Sequence, residues 1–281
     1  MYLLFDIGGT KMRVATSGDG TLLDQIKSFD TPKNFDEIFS LLMPFKREGI
    51  KAVLCGIAGV LDKEKLMLLR SPNLPEWVGK PIKKKLQEFF NTQIYLENDA
   101  ALAGLGEACY GAGRDYGIVS YLTISTGIGG ARIVDKKIDA NSWGFEPGQQ
   151  IIDLDVTIWP ESKNFNSENL TLGSIESYIS GSALGVRYGA YPFEIKDPQI
   201  WNEVEKLLAV ALNNVIVFWS PDIIILGGGM VLDSAISVDN VKDNLKKSFK
   251  VFPELPVILK AELGDKSGLY GGLKMVDKVK L

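Results

Sequence analysis

MYLLFDIGGTKMRVATS, residues 1–17, decides how the rest of the chain is read. Met1 to Phe5 is an apolar run of strand character. Asp6-Ile7-Gly8-Gly9-Thr10 breaks it, and Lys11 to Ser17 resumes as a second strand, so the segment predicts a β-hairpin with a turn of glycine and hydroxyl. Gly8 and Gly9 tolerate positive φ and let backbone N–H groups close on an anion. Asp6, at the strand end, can hold a hydrated Mg²⁺, an ion that keeps most of its waters and takes one or two carboxylates. A plain hairpin turn with a capping Asp is the alternative reading of the same residues.

The pattern returns further along. Ile118 to Ile124 is a strand, Ser125-Thr126-Gly127-Ile128-Gly129-Gly130 a turn of similar chemistry, and Ala131 to Val134 a returning strand, with Gly129-Gly130 lying 121 positions after Gly8-Gly9. Two such hairpins, each opening a βαβ-type half, predict an α/β protein built from two similar domains around a cleft. Tyr110-Gly111-Ala112-Gly113 is the natural boundary between the halves.

Between the hairpins, Leu22 to Ser28 predicts a third strand and Phe35 to Arg47 an amphipathic helix. Ala52 to Ile57 is apolar enough for a parallel strand covered on both faces. It exits through Gly56-Ile57-Ala58-Gly59, which suits either ligand approach or a simple loop. Ser71 to Trp77 is a proline-stiffened loop carrying Asn73, and Pro81 to Phe90 a helix. Ile94 to Leu96 is a strand delivering Glu97-Asn98-Asp99 to its carboxyl end, where ligands collect in parallel α/β sheets. Asn98 or Asp99 equally suits the N-cap of the helix from Ala100 to Cys109.

The second half is less regular. Trp143-Gly144-Phe145-Glu146-Pro147-Gly148-Gln149 is a turn-rich loop, and 151–171 shows no clear element. Leu172 to Tyr178 begins a helix running into Gly181, and Ile200 to Phe218 is a long amphipathic helix. Ile223 to Leu226 is a buried strand stopping at Gly227-Gly228-Gly229, where missing side chains leave room for a flat base or ribose. Val257 to Ala261 is a last strand and Ser267 to Val279 a terminal helix.

Composition narrows the chemistry. A hydrophobic fraction of 46% and a charged fraction of 23% are ordinary for a globular chain of 281 residues. A net charge of −4 and a pI near 5.2 give no footprint for nucleic acid. No stretch approaches the ~20 apolar residues of a membrane helix, and the opening strand is too short for a signal segment. The chain has no histidine, which removes Ser-His-Asp and Cys-His nucleophilic sites and histidine bases together. Cys55 and Cys109 alone cannot build a four-ligand zinc site; both read as unpaired thiols of a reducing, cytoplasmic compartment.

Singly these motifs are weak, but their order is specific. Asp6 to Lys11, Glu97-Asn98-Asp99-Ala100 leading to Gly106-Glu107, Thr123 to Gly130, and Ile225-Leu226-Gly227-Gly228-Gly229 together resemble the ROK family of repressors, open reading frames and sugar kinases. The resemblance spans nearly the whole chain and implies an actin-like, hexokinase-type (ribonuclease H-like) ATPase fold. The implied domains are 1–112 with 267–281, and 113–266. It implies an ATP- and Mg²⁺-dependent sugar kinase, cytoplasmic and homodimeric, with no nucleic-acid or membrane partner. Because the first strand starts at Met1, no helix-turn-helix is expected ahead of it, and the repressor branch is disfavoured.

Site roles follow from the resemblance by position. Asp99 is the general base, and Asn98, Glu146 and Glu176 hold sugar hydroxyls, with Gly59, Asn73 and Gln149 also on the sugar side. Asp6, Gly8, Gly9, Thr10 and Lys11 form a first phosphate segment, and Ser125, Thr126, Gly127 and Gly129 a second. Gly227, Gly228 and Gly229 form the adenosine segment. Asp6 is the Mg²⁺ residue, through water. Three departures stand out: Gln149 replaces the family's histidine, Ser174 replaces the last cysteine of its zinc run, and the Gly56–Gly59 exit is shorter than usual. Zinc is therefore expected to be absent. The rival readings are a non-catalytic sugar sensor on the same fold and a kinase for a non-sugar substrate.

Overall fold

A computed structural model describes residues 1–164, 171–233 and 235–279 of the chain. It divides into two compact units. One comprises Met1–Gly111, Ile138–Gly144 and the segment from Asp265 on; the other comprises Ala112–Lys137 and Phe145–Gly264.

In the first unit, β1 (Tyr2–Ile7) and β2 (Lys11–Ser17) form the expected hairpin, and β3 (Ile26–Asp30) continues it antiparallel. The helical segment that follows is broken. α1 (Ile38–Leu42) lies between 3₁₀ turns at Phe35–Glu37 and Met43–Phe45, because Pro44 has no N–H to continue the α ladder. Next come β4 (Ala52–Ile57), the small hairpin of β5 (Val60–Leu61) and β6 (Leu68–Arg70), α2 (Ile82–Phe90), β7 (Gln93–Asn98) and α3 (Asp99–Tyr110). The sheet order is β3-β2-β1-β4-β7, parallel from β1 through β4 to β7. Every residue of β4 is buried, as its unbroken apolar run requires.

The second unit repeats this plan. β8 (Ile118–Ile124) and β9 (Ile128–Val134) pair antiparallel, followed by the short β10 (Lys137–Ile138). Gly129 and Gly130 are thus strand residues opposite Thr123 and Leu122, rather than part of the turn. Measured by strand ends, Ile7 to Ile124 and Lys11 to Ile128, the repeat runs at 117 residues and sets Asp6 against Thr123. The helix expected to run into Gly181 is two: α4 (Glu176–Ile179) and α5 (Gly181–Tyr188), separated by Ser180. Ser180 is extended, and its hydroxyl caps the second helix by accepting from Ala183 N at 3.1 Å.

α6 (Pro198–Trp219), β11 (Ile223–Gly227), α7 (Gly229–Leu232), α8 (Val238–Ser248) and β12 (Val257–Lys260) complete this unit, with sheet order β10-β9-β8-β11-β12. α9 (Ser267–Val279) returns to the first unit and packs on α3 and the sheet. Each sheet has its own apolar core, around Phe5, Val53 and Leu96 in the first unit and around Leu122, Leu212 and Ile224 in the second. Part of the irregular stretch 151–171, residues 165–170, lies outside the described residues. Among the described residues no helix is long and apolar enough to cross a membrane.

Candidate active site

In the first unit, Asp6, Gly56 and Glu97 are in register on three parallel strands. The hairpin turn, the Gly56–Gly59 exit and Asn98-Asp99 therefore share one carboxyl edge of the sheet. There Asn98 and Asp99 divide the two roles that either could fill. Asn98 caps α3: its Oδ1 accepts from Ala101 N at 2.9 Å, and its Nδ2 donates to Gly59 O at 3.1 Å. Asp99 is left as the first helical residue, with a carboxylate that accepts from Ala100 N at 2.9 Å. Burial pushes its carboxyl up to about 6.

Asp6 is pushed up to about 7, first by burial and then by the charge of Asp99. Arg13 opposes this shift from the facing position of the hairpin, 3.8 Å away, while also pairing with Asp265. Two half-buried acids that repel each other form an anionic spot, and Mg²⁺, which needs only one or two carboxylates, fits it.

The adjoining turn is closed by Gly8 N donating to Lys11 O at 3.0 Å, and it is tied down by Thr31, whose hydroxyl donates to Gly8 O and whose N–H donates to Thr10 O. Lys11 is exposed and paired with Asp30 at 2.5 Å. Asn73 lies against Gly9, so closely that a Cβ on Gly9 would stand 2.3 Å from that of Asn73.

In the second unit, the Ser125–Gly127 turn docks on the start of α5, with Gly181 N donating to Ser125 O at 2.7 Å and Ser182 N to Thr126 O at 3.0 Å. Glu176 faces the same turn: Ile128 N donates to its Oε2 at 2.6 Å, and a Cβ on Gly127 would come within 2.9 Å of that oxygen. Gln149 Nε2 donates to Glu176 Oε1 at 2.8 Å. A carboxylate only accepts, so this contact fixes the amide orientation and leaves Gln149 Oε1 buried with no partner. Glu146 opens the 3₁₀ turn Pro147–Gln149 and is exposed. At the end of β11, Gly227 and Gly228 leave room for the chain itself, since a Cβ on them would meet the Tyr121 hydroxyl at 2.4 Å and Ile124 O at 2.3 Å.

The sequence reading missed Arg13, Lys65 and Asp153. Arg13 was detectable as a cross-strand charge opposite Asp6. Lys65 pairs with the buried Glu97 from the β5–β6 turn, a long-range contact with no local signal. Asp153 gathers the donors of a loop that showed no pattern. At the family's zinc positions Gln149 and Ser174 offer neither imidazole nor thiolate. Among the described residues no group of three or more His, Cys, Asp or Glu is placed to hold a metal.

The ROK family profile matches residues 2–279. The chain belongs to the ROK family. It is 28% identical over 298 residues to the N-acetyl-D-glucosamine kinase of Escherichia fergusonii, covering 96% of this chain and 97% of that protein. The fold is that of a ROK hexokinase from Thermus thermophilus, with a TM-score of 0.81 at 24% identity over 99% of both chains. A ROK family glucokinase from Streptomyces griseus, solved with glucose and AMPPNP, aligns with a TM-score of 0.80 at 23% identity over 98% of both. The architecture is thus the actin-like ATPase fold of these hexokinases and glucokinases. Membership with whole-length matches of this kind makes the chain a phosphotransferase of the family's sugar-kinase type.

Proposed function

We propose that the chain transfers the γ-phosphate of ATP to a hydroxyl of a hexose or hexose derivative, with Asp99 as general base. The observation that carries this is the division of labour at the end of β7. Asn98 satisfies the helix start, so Asp99 presents a half-buried carboxylate, raised to about 6, that is ionised at neutral pH yet basic enough to take a hydroxyl proton. Phosphoryl transfer asks little more of the protein than this proton acceptor, positioning and charge stabilisation.

The Gly8–Thr10 turn with Lys11, the Ser125–Gly127 turn with Gly129, and Gly227–Gly229 are the phosphate and adenosine segments of this reading. Asp6 holds Mg²⁺ through water, and the ion when bound neutralises phosphate charge. Gly59, Asn73, Asn98, Glu146, Gln149 and Glu176 hold the sugar. For Asn98 the capping contacts leave a supporting role. For Gln149 the orphaned Oε1 accepts from a sugar hydroxyl. Zinc takes no part, and the protein works as a cytoplasmic homodimer.

The test is Asp99→Asn, assayed by coupled ADP release over a panel of hexoses and N-acetylhexosamines. Turnover should fall by roughly 10²–10⁴-fold with sugar binding retained. Near wild-type turnover would remove Asp99 from the role, and a wild-type protein that binds sugar without releasing ADP would mark a sensor.

A further inference from the structure

We propose that Asp153, outside every segment assigned above, is a positioning residue that holds Gln149 and Glu176 together. The inference rests on the kinase reading for its kinetic consequence only.

One carboxylate organises this loop. Asp153 Oδ2 accepts from Thr157 N at 2.6 Å, Ile158 N at 2.8 Å and the Tyr178 hydroxyl at 2.9 Å, and Oδ1 accepts from the Thr157 hydroxyl at 3.1 Å. These contacts favour the ionised carboxylate and hold its pKa below the ordinary carboxylate range, with the Ile158 N–H contributing most. They also hold a turn the chain would not choose. Val156 is buried at φ +55°, a conformation β-branched residues avoid and keep only where surrounding contacts over-determine it.

The same residue ties two strands of loop together. Ile152 N and Asp153 N both donate to Gly173 O, at 2.9 and 3.2 Å, Ile151 and Ser174 form an antiparallel bridge, and Ile175 N donates to Gln150 O at 3.0 Å. One of these strands leads out of Gln149, and the other leads into α4, which carries both Glu176 and the fully buried Tyr178. Asp153 thus grips α4 at Tyr178 from the segment that begins at Gln149. The 2.8 Å contact between Gln149 and Glu176 sits at the far end of this ladder. Freeing Asp153 lets the ladder slip, and a shift of about 1 Å between positioning groups is enough to cost a substrate site dearly.

The experiment compares Asp153→Ala, Asp153→Asn and Tyr178→Phe with wild type in sugar and ATP kinetics and in amide hydrogen exchange. Asp153→Ala should raise the sugar KM by about tenfold or more while leaving the ATP KM within about twofold, the split expected when one substrate's site is loosened. Tyr178→Phe should give a smaller rise of the same kind. Asp153→Asn, which keeps one acceptor oxygen, should recover most of the wild-type KM. Exchange at Ile152, Asp153 and Ile175 should quicken in Asp153→Ala, with the amides of β8 and β11 unchanged. A wild-type sugar KM in Asp153→Ala, or an equal rise in both KM values, overturns the proposal while the kinase reading stands. If no sugar is phosphorylated by wild type, the kinase reading falls, and unchanged exchange in Asp153→Ala then overturns this proposal independently.

Discussion

The two hairpins share a seven-residue returning strand and a three-residue loop, yet they prepare for ligands in opposite ways. In the first unit the strand leading into the turn carries Asp6 one residue before its end, with Asp99 and Arg13 close enough to shift its proton affinity. In the second the matching position is Thr123, and the turn is bound by backbone contacts to α5 and by Glu176. The first site is governed by charge, the second by space. A duplicated scaffold has kept its hydrogen-bond ladder and changed its chemistry at single positions, as expected when function is carried by sites set on a common fold.

This contrast predicts which kind of substitution hurts where. The largest effect belongs to charge in the first unit: Asp99→Asn changes no volume, and its loss of roughly 10²–10⁴-fold in turnover is an acid–base loss. A methyl group should matter most in the second unit. Gly127→Ala places a Cβ 2.9 Å from Glu176 Oε2 and crowds the carboxylate oxygen that accepts from the Ile128 N–H. We expect the sugar KM to rise about tenfold with kcat little changed, in keeping with the ordinary cost of overpacking. If Gly127→Ala is silent while Thr123→Ala abolishes turnover, the second site is chemical after all and the contrast fails.

A titration probes the first site more gently. A base with a carboxyl raised to about 6 is ionised above that value, so with Mg²⁺ saturating and Asp6 thereby held ionised, kcat/KM should fall on the acid side with a midpoint near 6. A midpoint near 4 would show an Asp99 that behaves as a solvated carboxylate, and would take from the first unit the burial that distinguishes it.

What was legible in the sequence follows the range of the interactions involved. The hairpins, the buried strand Ala52–Ile57 and the arrival of Asn98-Asp99 at a strand end are local patterns, and they appear as written. Glycine pairs are a misleading marker of the repeat, giving 121 residues where the strand ends give 117. Gly129 and Gly130 sit inside β9, and strand ends, which set the true spacing, are weaker signals than glycine pairs. Asn98 and Asp99 cannot be told apart in the sequence, since both residue types cap helices; the bond from Ala101 N to Asn98 Oδ1 makes Asn98 the cap, and its Nδ2 further ties it to Gly59 O. Ile138–Gly144, which joins the first unit from within the second half of the chain, carries no compositional mark. Asp153 was invisible for a similar reason. Its donors include Tyr178, 25 positions away, so the loop it orders looks patternless when read along the chain.

The smallest effect should be a gain in stability, and its sign separates the two units most cleanly. Asp6 holds its proton up to about pH 7 in the folded protein, against about 3.8 ordinarily, so the fold binds that proton more tightly than the unfolded chain does. The associated stabilisation is complete below pH 4 and is lost as pH rises through 7, where burial and Asp99 penalise the carboxylate. Asp6→Asn removes the penalty. It should raise the thermal midpoint at pH 8 by roughly 4–8 °C, the equivalent of about 2 kcal/mol, and should bring no gain at pH 4. Thr123→Val in the second unit removes a polar group that does not titrate, so any change it causes should be the same at both pH values. Mg²⁺ added to the wild type at pH 8 should recover part of the Asp6→Asn gain, because an ion bound only by the folded state stabilises it. A lower midpoint for Asp6→Asn at pH 8 would mean that Arg13 already neutralises Asp6, and the first site would then be no more charge-governed than the second.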